Sequence, residues 1–418
     1  MISIVTRSNG FDEVLRCPRV GCGWKLSVAA IVLSGITQMV SAASSIDGHV
    51  RADVRYFLDT SGHRLQSNQI STVLTIEPSW RYESVDRQQL FRMSLSGRVG
   101  NIDSQQDAAN VKELLFSKFS DDWELHAGIG EYFWGVTESQ HVVDIINQLD
   151  LVQNIDGEEK VGQAVVNLTK FTDVGTLDFF LLPGFQERRY PGMKGRLRTQ
   201  LPVDAALTRF ESAAGRHRLD LAARFFGTFG ASELGVSVFS GTSRAPQLSP
   251  AVNEAGTAVL APYYPVIAQW GIDAQYTRND ALWKWEAIRR TVGGSAYYAV
   301  TGGIEYGIYG IFETDTDLSV LFEPSFDSRS LAAGPFDRDV FVGLRLSFND
   351  AQSTEIVGGL LADTDRSSRM VNLEASRRLG ADWTMKLQAR LFRNIAADDP
   401  LAAYRADSFV SWRLSRFF

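Results

Sequence analysis

Apolar and polar residues alternate one for one through stretch after stretch of this chain. The clearest run places Trp383, Met385, Leu387, Ala389 and Leu391 on one face and Thr384, Lys386, Gln388 and Arg390 on the other. Phe91, Met93, Leu95 and Val99 alternate with Arg92, Ser94, Ser96 and Arg98, and Val50, Ala52, Val54 and Tyr56 alternate with Arg51, Asp53 and Arg55. The same pattern returns in Trp270 to Tyr276, Val340 to Phe348 and Val371 to Ala375. A period of two marks strands whose two faces meet different surroundings. The runs last about 9–12 residues, longer than an ordinary globular strand and suited to a tilted bilayer crossing. Trp123, Trp270, Trp283, Trp383 and Trp412 stand at ends of the apolar faces, as interfacial girdles do. The pattern predicts an all-β protein, a transmembrane antiparallel β-barrel, in preference to a soluble sandwich with one wet face.

The connections supply a topology. Long ones fall at 58–69, 100–110, 134–160, 184–217 and 241–265, with later members near 324–338 and 394–406. Tight ones fall between them, at Ser120-Asp121-Asp122, Thr172-Asp173-Val174, Arg278-Asn279-Asp280, Asn349-Asp350-Ala351 and Leu379-Gly380-Ala381-Asp382. Short periplasmic turns and long outer loops are the habit of bacterial barrels. The short Val292-Gly293-Gly294 stands where a long connection is due. The count comes to about 18 strands, with 16 as the alternative, both even as single-chain bacterial barrels require. The chain closes on Val410, Trp412, Leu414 and Phe418. This alternation resembles the C-terminal recognition signature of Gram-negative outer-membrane proteins, although Arg416 departs from it. The resemblance implies outer-membrane localisation and the barrel-assembly machinery as a partner.

Composition then removes alternatives. The chain has 418 residues and a formal charge of -7, which argues against nucleic-acid binding because phosphate contacts need a basic surface. An apolar run at 26–37 follows Arg16, Arg19 and Lys25 and precedes Val40-Ser41-Ala42. That is the layout of a secretory signal peptide, expected over 1–43, with the barrel over 44–418. Both cysteines, Cys17 and Cys22, fall in the segment to be removed. The mature chain would then have no thiol for a disulfide, a nucleophile or a metal. The histidines after the signal (His49, His63, His126, His141 and His217) show no metal or triad spacing, so no enzyme, catalytic residue, metal or cofactor is expected.

If apolar residues face lipid, their neighbours face the lumen. The pore-lining set is then Arg51, Arg55, Arg92, Arg98, Arg290, Arg345, Lys386 and Arg390, and wall bases outnumber wall acids about twofold on this alternation. The connection 134–160 is the most distinctive stretch. It carries Val142, Val143, Ile145, Ile146, Leu149, Leu151 and Val152, too apolar for a solvated outer loop, so it is expected to fold inward. Its candidate constriction residues are Trp134, Gly135, Glu138, Asp144, Asn147 and Asp150. Crossed rows of acid and base in a pore filter solutes by sign, size and dipole. The alternative is a plug whose acids are salt-bridged to the wall. The basic loop around Tyr190-Pro191-Gly192 holds Arg188, Arg189, Lys194, Arg196 and Arg198 and reads as a solvated outer loop or an attractor of anions and lipopolysaccharide phosphates.

Phe133-Trp134-Gly135 after a strand, followed by Asp144, Asn147 and Asp150, resembles the inward loop of proteobacterial outer-membrane channels of the alginate-export and related porin type. The resemblance implies passive transport. The resulting expectation is a channel for small, anionic or amphipathic solutes through a basic lumen narrowed by 134–160. It would sit among outer-membrane lipid and lipopolysaccharide as a monomer or homotrimer. The alternative is an exporter barrel for a polysaccharide or lipid, working with periplasmic partners.

Overall fold

In the computed structural model, which describes residues 43–61, 63, 65, 66, 69–329 and 337–418, the alternating runs are strands. In chain order they are β1 (Ala43–Phe57), β2 (Ile70–Glu83), β3 (Gln89–Gly100), β4 (Ala108–Phe119), β5 (Trp123–Gly130), β6 (Gln148–Leu149) and β7 (Lys160–Val161). There follow β8 (Gln163–Thr172), β9 (Gly175–Pro183), β10 (Arg209–Phe210), β11 (Leu219–Phe229), β12 (Ser232–Thr242), β13 (Gln247–Val252), β14 (Ala258–Tyr264) and β15 (Val266–Arg278). The last are β16 (Ala281–Val292), β17 (Ser295–Ile308), β18 (Asp317–Asp327), β19 (Arg338–Ser347), β20 (Glu355–Asp363), β21 (Arg369–Leu379), β22 (Trp383–Arg393) and β23 (Phe409–Phe417).

Eighteen of these form one sheet. Each pairs antiparallel with its neighbours in chain order, and β23 returns to β1 with Leu414 opposite Ala52 and Trp412 opposite Val54. The sheet therefore closes into a barrel with no free edge, the form that lets a sheet cross lipid with every backbone group satisfied. The short β6 and β7 pair with each other, and β10, β13 and β14 form a small sheet, all within the long connections. The expected signal segment lies outside the described residues apart from Ala43, where β1 begins.

The faces separate as the alternation predicts. On β15, Trp270 is 60% exposed while its neighbours Gln269 and Gly271 are buried. On β19, Val342 and Leu344 look outward. Two expectations need correction. Trp270 and Trp412 sit inside β15 and β23 rather than at strand ends, so the girdle is incomplete. The lumen is also not uniformly polar. Val165, Phe180, Leu182, Ala222, Phe239, Ile267, Ile288, Tyr297 and Ala299, from β8 to β17, form a buried apolar arc on the inner wall. Strict alternation assigned such positions to lipid only where a strand had one apolar face; these strands are apolar on both. The short Val292-Gly293-Gly294 connection is real. Gly293 and Gly294 both take positive φ, 54° and 83°, the backbone that a two-residue hairpin needs and that glycine adopts without strain.

Candidate functional site

The inner arc explains why the segment between β5 and β8 folds inward. Val143, Ile145 and Ile146 are 0–2% exposed and pack on the arc with Trp134, whose ring meets Phe180 edge-on at 5.7 Å. Burying these side chains removes from water an apolar surface worth about 1.5–3 kcal/mol per residue.

Two wall glutamates then fix the loop's backbone. Glu286 on β16 is fully buried; its Oε1 accepts hydrogen bonds from Val136 N at 2.7 Å, Thr137 N at 3.0 Å and Thr137 Oγ1 at 2.7 Å, and its Oε2 accepts one from Val143 N at 3.2 Å. Glu323 on β18 accepts from Glu138 N at 2.9 Å, Ser139 N at 2.8 Å and Ser139 Oγ at 2.7 Å. Gly135 has φ of +142°, and a Cβ there would lie 2.8 Å from Glu286 Oε1. Only glycine lets the chain pass so close to this carboxylate. His141 stands between two acids, with Nε2 at 3.6 Å from Glu158 and Nδ1 at 3.8 Å from Glu286. Burial alone would push its pKa down, but the two carboxylates outweigh that and hold it up at about 9. The His141 cation in turn keeps the Glu158 carboxyl below its usual range.

The expected constriction residues divide into two groups. Asn147 holds the loop's two stems together: its Oδ1 accepts from Tyr132 N at 2.7 Å, and its Nδ2 donates to Gly130 O and Val161 O at 3.0 and 2.9 Å. Asp144 accepts from Lys160 Nζ at 2.5 Å. Asp150, 1% exposed, takes Arg98 at 3.2 Å and Arg189 at 2.9 Å. Of the six, Glu138, Asp144 and Asn147 border the open space inside the barrel, whereas Trp134, Gly135 and Asp150 lie behind it.

That space is a cavity of about 920 Å³ between the loop and the wall of β1 to β3, β16 and β19 to β23. Loop acids face wall bases directly across its edge. Arg345 meets Glu138 at 2.7 Å, Arg390 meets Asp156 at 3.4 Å, and Arg413 meets Glu159 at 3.7 Å. Arg51 and Arg55 each donate to Gln153, at 3.0 and 3.1 Å. Of the eight expected wall residues, Arg51, Arg55, Arg98, Arg290, Arg345, Lys386 and Arg390 border the cavity. Arg92 does not; it pairs with Glu113 at 2.9 Å on β4.

The expected twofold excess of wall base is a miscount. Glu77, Glu113, Glu305 and Glu323 also carry lumen-side partners: Lys112, Arg92, Lys284 and the loop. The basic loop between β9 and β11 is not free either. Its Arg196 is 6% exposed and pairs with Asp407 Oδ1 at 2.5 Å, and Gly192 N donates to Asp103, so this loop is tied across the outer end to the β3–β4 and β22–β23 connections.

Sequence reading missed Glu323, a lone acid at a polar position between outward Phe322 and Pro324, and it missed Arg188 and Arg244 as cavity residues. The first has a detectable signal in its strand alternation; the other two sit in loops, where no period says which way a side chain turns. His126 lies beside Glu124, as their alternation on one strand implies, and it also meets Ser117 of the neighbouring strand, which sequence spacing did not reveal. Its Nδ1 is 2.8 Å from Ser117 Oγ, and its Nε2 is 3.4 Å from Glu124. Ser117 is 1% exposed, so the hydroxyl offers no approach to a substrate.

No protein-family model matches the chain, and no curated protein does. Among solved structures it resembles Pseudomonas aeruginosa OpdQ at 12% identity and a TM-score of 0.52, over 91% of this chain and 99% of that one. It also resembles Pseudomonas aeruginosa OccK3 (OpdO) at 10% identity and a TM-score of 0.52, over 90% and 95%. The likeness is one of fold. A closed 18-stranded antiparallel barrel with an apolar outer belt is a porin-like transmembrane barrel of the bacterial outer membrane.

Proposed function

We propose that this barrel is a passive channel in which the loop 134–160 narrows the lumen and small solutes pass by diffusion, with anionic or amphipathic ones favoured. The observation that carries this reading is the cavity of about 920 Å³ bounded on one side by the loop's Glu138, Asp156, Glu158 and Glu159 and on the other by Arg51, Arg55, Arg345, Arg390 and Arg413. Such opposed charges pull the two ends of a dipolar solute apart across the pore and exclude solutes that cannot meet both. No covalent step is involved. Outer-membrane lipid and lipopolysaccharide surround the belt in this reading, and the barrel acts as a monomer or homotrimer.

The finer resemblance to alginate-export channels rests on Trp134, Gly135, Asp144, Asn147 and Asp150. In this fold those residues hold the loop in place, so they support an inward loop without supplying a polysaccharide-binding row. The test is single-channel recording of the purified barrel in planar bilayers under a salt gradient. Discrete open steps with a cation/anion permeability ratio below one are expected. A barrel that stays closed would overturn the passive channel in favour of a gated exporter or a plugged structural protein.

A further inference from the structure

The bases that sequence alternation put forward as a selective ladder are mostly neutralised in place. Arg92 has Glu113, Arg345 has Glu138 and Glu305, Lys386 has Glu374, and Arg390 has Asp156. Among the described residues, the cavity bases with no carboxylate at ion-pair distance are Arg55, whose Nη2 donates to Gln153 O at 3.1 Å, together with Arg290 and Arg188. Arg290 on β16 donates from Nε and Nη2 to Gln269 Oε1, at 2.8 and 2.5 Å, and among the described residues no carboxylate lies at ion-pair distance from it, Asp327 nearby being paired with Arg329. Arg188, from the β9–β11 loop, donates to Gln148 Oε1 at 3.1 Å and to Arg244 O at 2.8 Å, again with no carboxylate.

Arg244, just beyond β12, is 4% exposed. Its Nη1 pairs with Asp220 at 2.7 Å and its Nε donates to Ile146 O at 3.0 Å, but its Nη2 is buried with no hydrogen-bond partner among the described residues. All three residues line the same cavity. Each is tied to the same stretch of loop: Arg244 to Ile146 O, Arg188 to Gln148, and Arg290 through Gln269, whose Nε2 donates to Val143 O at 3.3 Å. The nearest loop acid in sequence, Asp144, is engaged by Lys160.

A buried guanidinium donor left unpaired costs a desolvation penalty that an oxyanion would recover. We infer that Arg188, Arg244 and Arg290 form an oxyanion subsite, for a carboxylate or phosphate group, beside the constriction loop. This deepens the channel reading, on which it rests, by giving it a saturable site: a permeating anion pauses beside these three cavity-lining arginines, and Arg244 Nη2 finds its missing acceptor.

The experiment uses the full barrel in planar bilayers bathed in chloride, with inorganic phosphate or succinate added to one side. Concentration-dependent, saturable block of the chloride current is expected. Block by phosphate alone or by succinate alone identifies which oxyanion the site takes; block by both assigns the shared chemistry. Arg290→Gln and Arg188→Gln are each expected to raise the half-blocking concentration by about tenfold or more, as loss of one charge-assisted hydrogen bond implies. Arg289→Gln removes the same charge from the same strand but on its outward, exposed side, and is expected to leave block unchanged.

A conducting channel with no saturable block, or equal effects from the Arg289 and Arg290 variants, overturns the subsite and leaves the channel reading standing. If the barrel passes no current, calorimetric titration of the detergent-solubilised protein with phosphate and succinate decides separately. Saturable heat that is lost in Arg290→Gln supports the subsite while the channel fails; absence of saturable heat overturns the subsite too.

Discussion

At the scale of single residues, the constriction depends on a few carboxylates that accept several bonds each. Hydrogen bonds to a charged acceptor contribute about 1.5–3 kcal/mol apiece, and Glu286 accepts four from the loop. Glu286→Ala should therefore release the turn 136–143 and raise both mean conductance and current noise, as read in single-channel records; an unchanged record would show that apolar packing alone holds the loop. His141 adds a pH dependence. Its pKa is raised, from 6.5 to about 9, so its pairing with Glu158 and Glu286 contributes fully below pH 6.5, fades as pH rises, and is lost above about 9. The contribution is roughly 3 kcal/mol at most. Current noise should accordingly grow between pH 6.5 and 9, and His141→Gln should give a noise level that no longer varies over that interval.

At the scale of elements, the wall stands on its own pairings. Eighteen strand pairs close the barrel without a single main-chain ladder bond from the loop. Deleting 142–154 should leave a barrel that still shows the heat-modifiable gel mobility of a folded outer-membrane protein, with conductance several-fold higher. Loss of that mobility would mean the loop is needed for folding. How far such elements were legible in the sequence follows from what alternation can express. β22, with Trp383 to Leu391 on one face, is unmistakable because lipid and lumen demand opposite polarity. The inward loop was legible for a related reason: Val142, Val143, Ile145 and Ile146 have no business in solvent. Glu286 could be placed on the inner wall by the same rule. Its service to the backbone of Val136, Thr137 and Val143 could not, because that contact joins residues some 150 positions apart and depends on the path of a loop. Arg188 was read as an outer-loop charge for the same reason, and Phe180 and Ile288 were invisible as inner-wall residues because an apolar position on a two-sided apolar strand carries no polarity contrast.

At the scale of the whole molecule, selectivity is a balance struck around one cavity. Ten Arg or Lys side chains and eight Asp or Glu side chains border it, so the net field is weakly positive and small changes in the pairs will reverse it. Arg345 and Arg390 are the two bases that neutralise Glu138 and Asp156 on the opposing loop. Replacing both with Gln leaves eight bases against eight acids and frees two carboxylates at the constriction, so the cation/anion permeability ratio should rise to or above one. Arg92 is engaged by Glu113 away from the cavity, and Arg92→Gln should leave the ratio where it was. Reversal potentials under a salt gradient measure both. The contrast should sharpen at low salt, because the screening length grows from about 10 Å at 0.1 M to about 30 Å at 0.01 M and more of the cavity then feels each uncompensated charge. If Arg92→Gln moved the ratio as far as the double replacement, the selecting charges would lie in the wall of β3 and β4 rather than between the inward loop and β19 to β23.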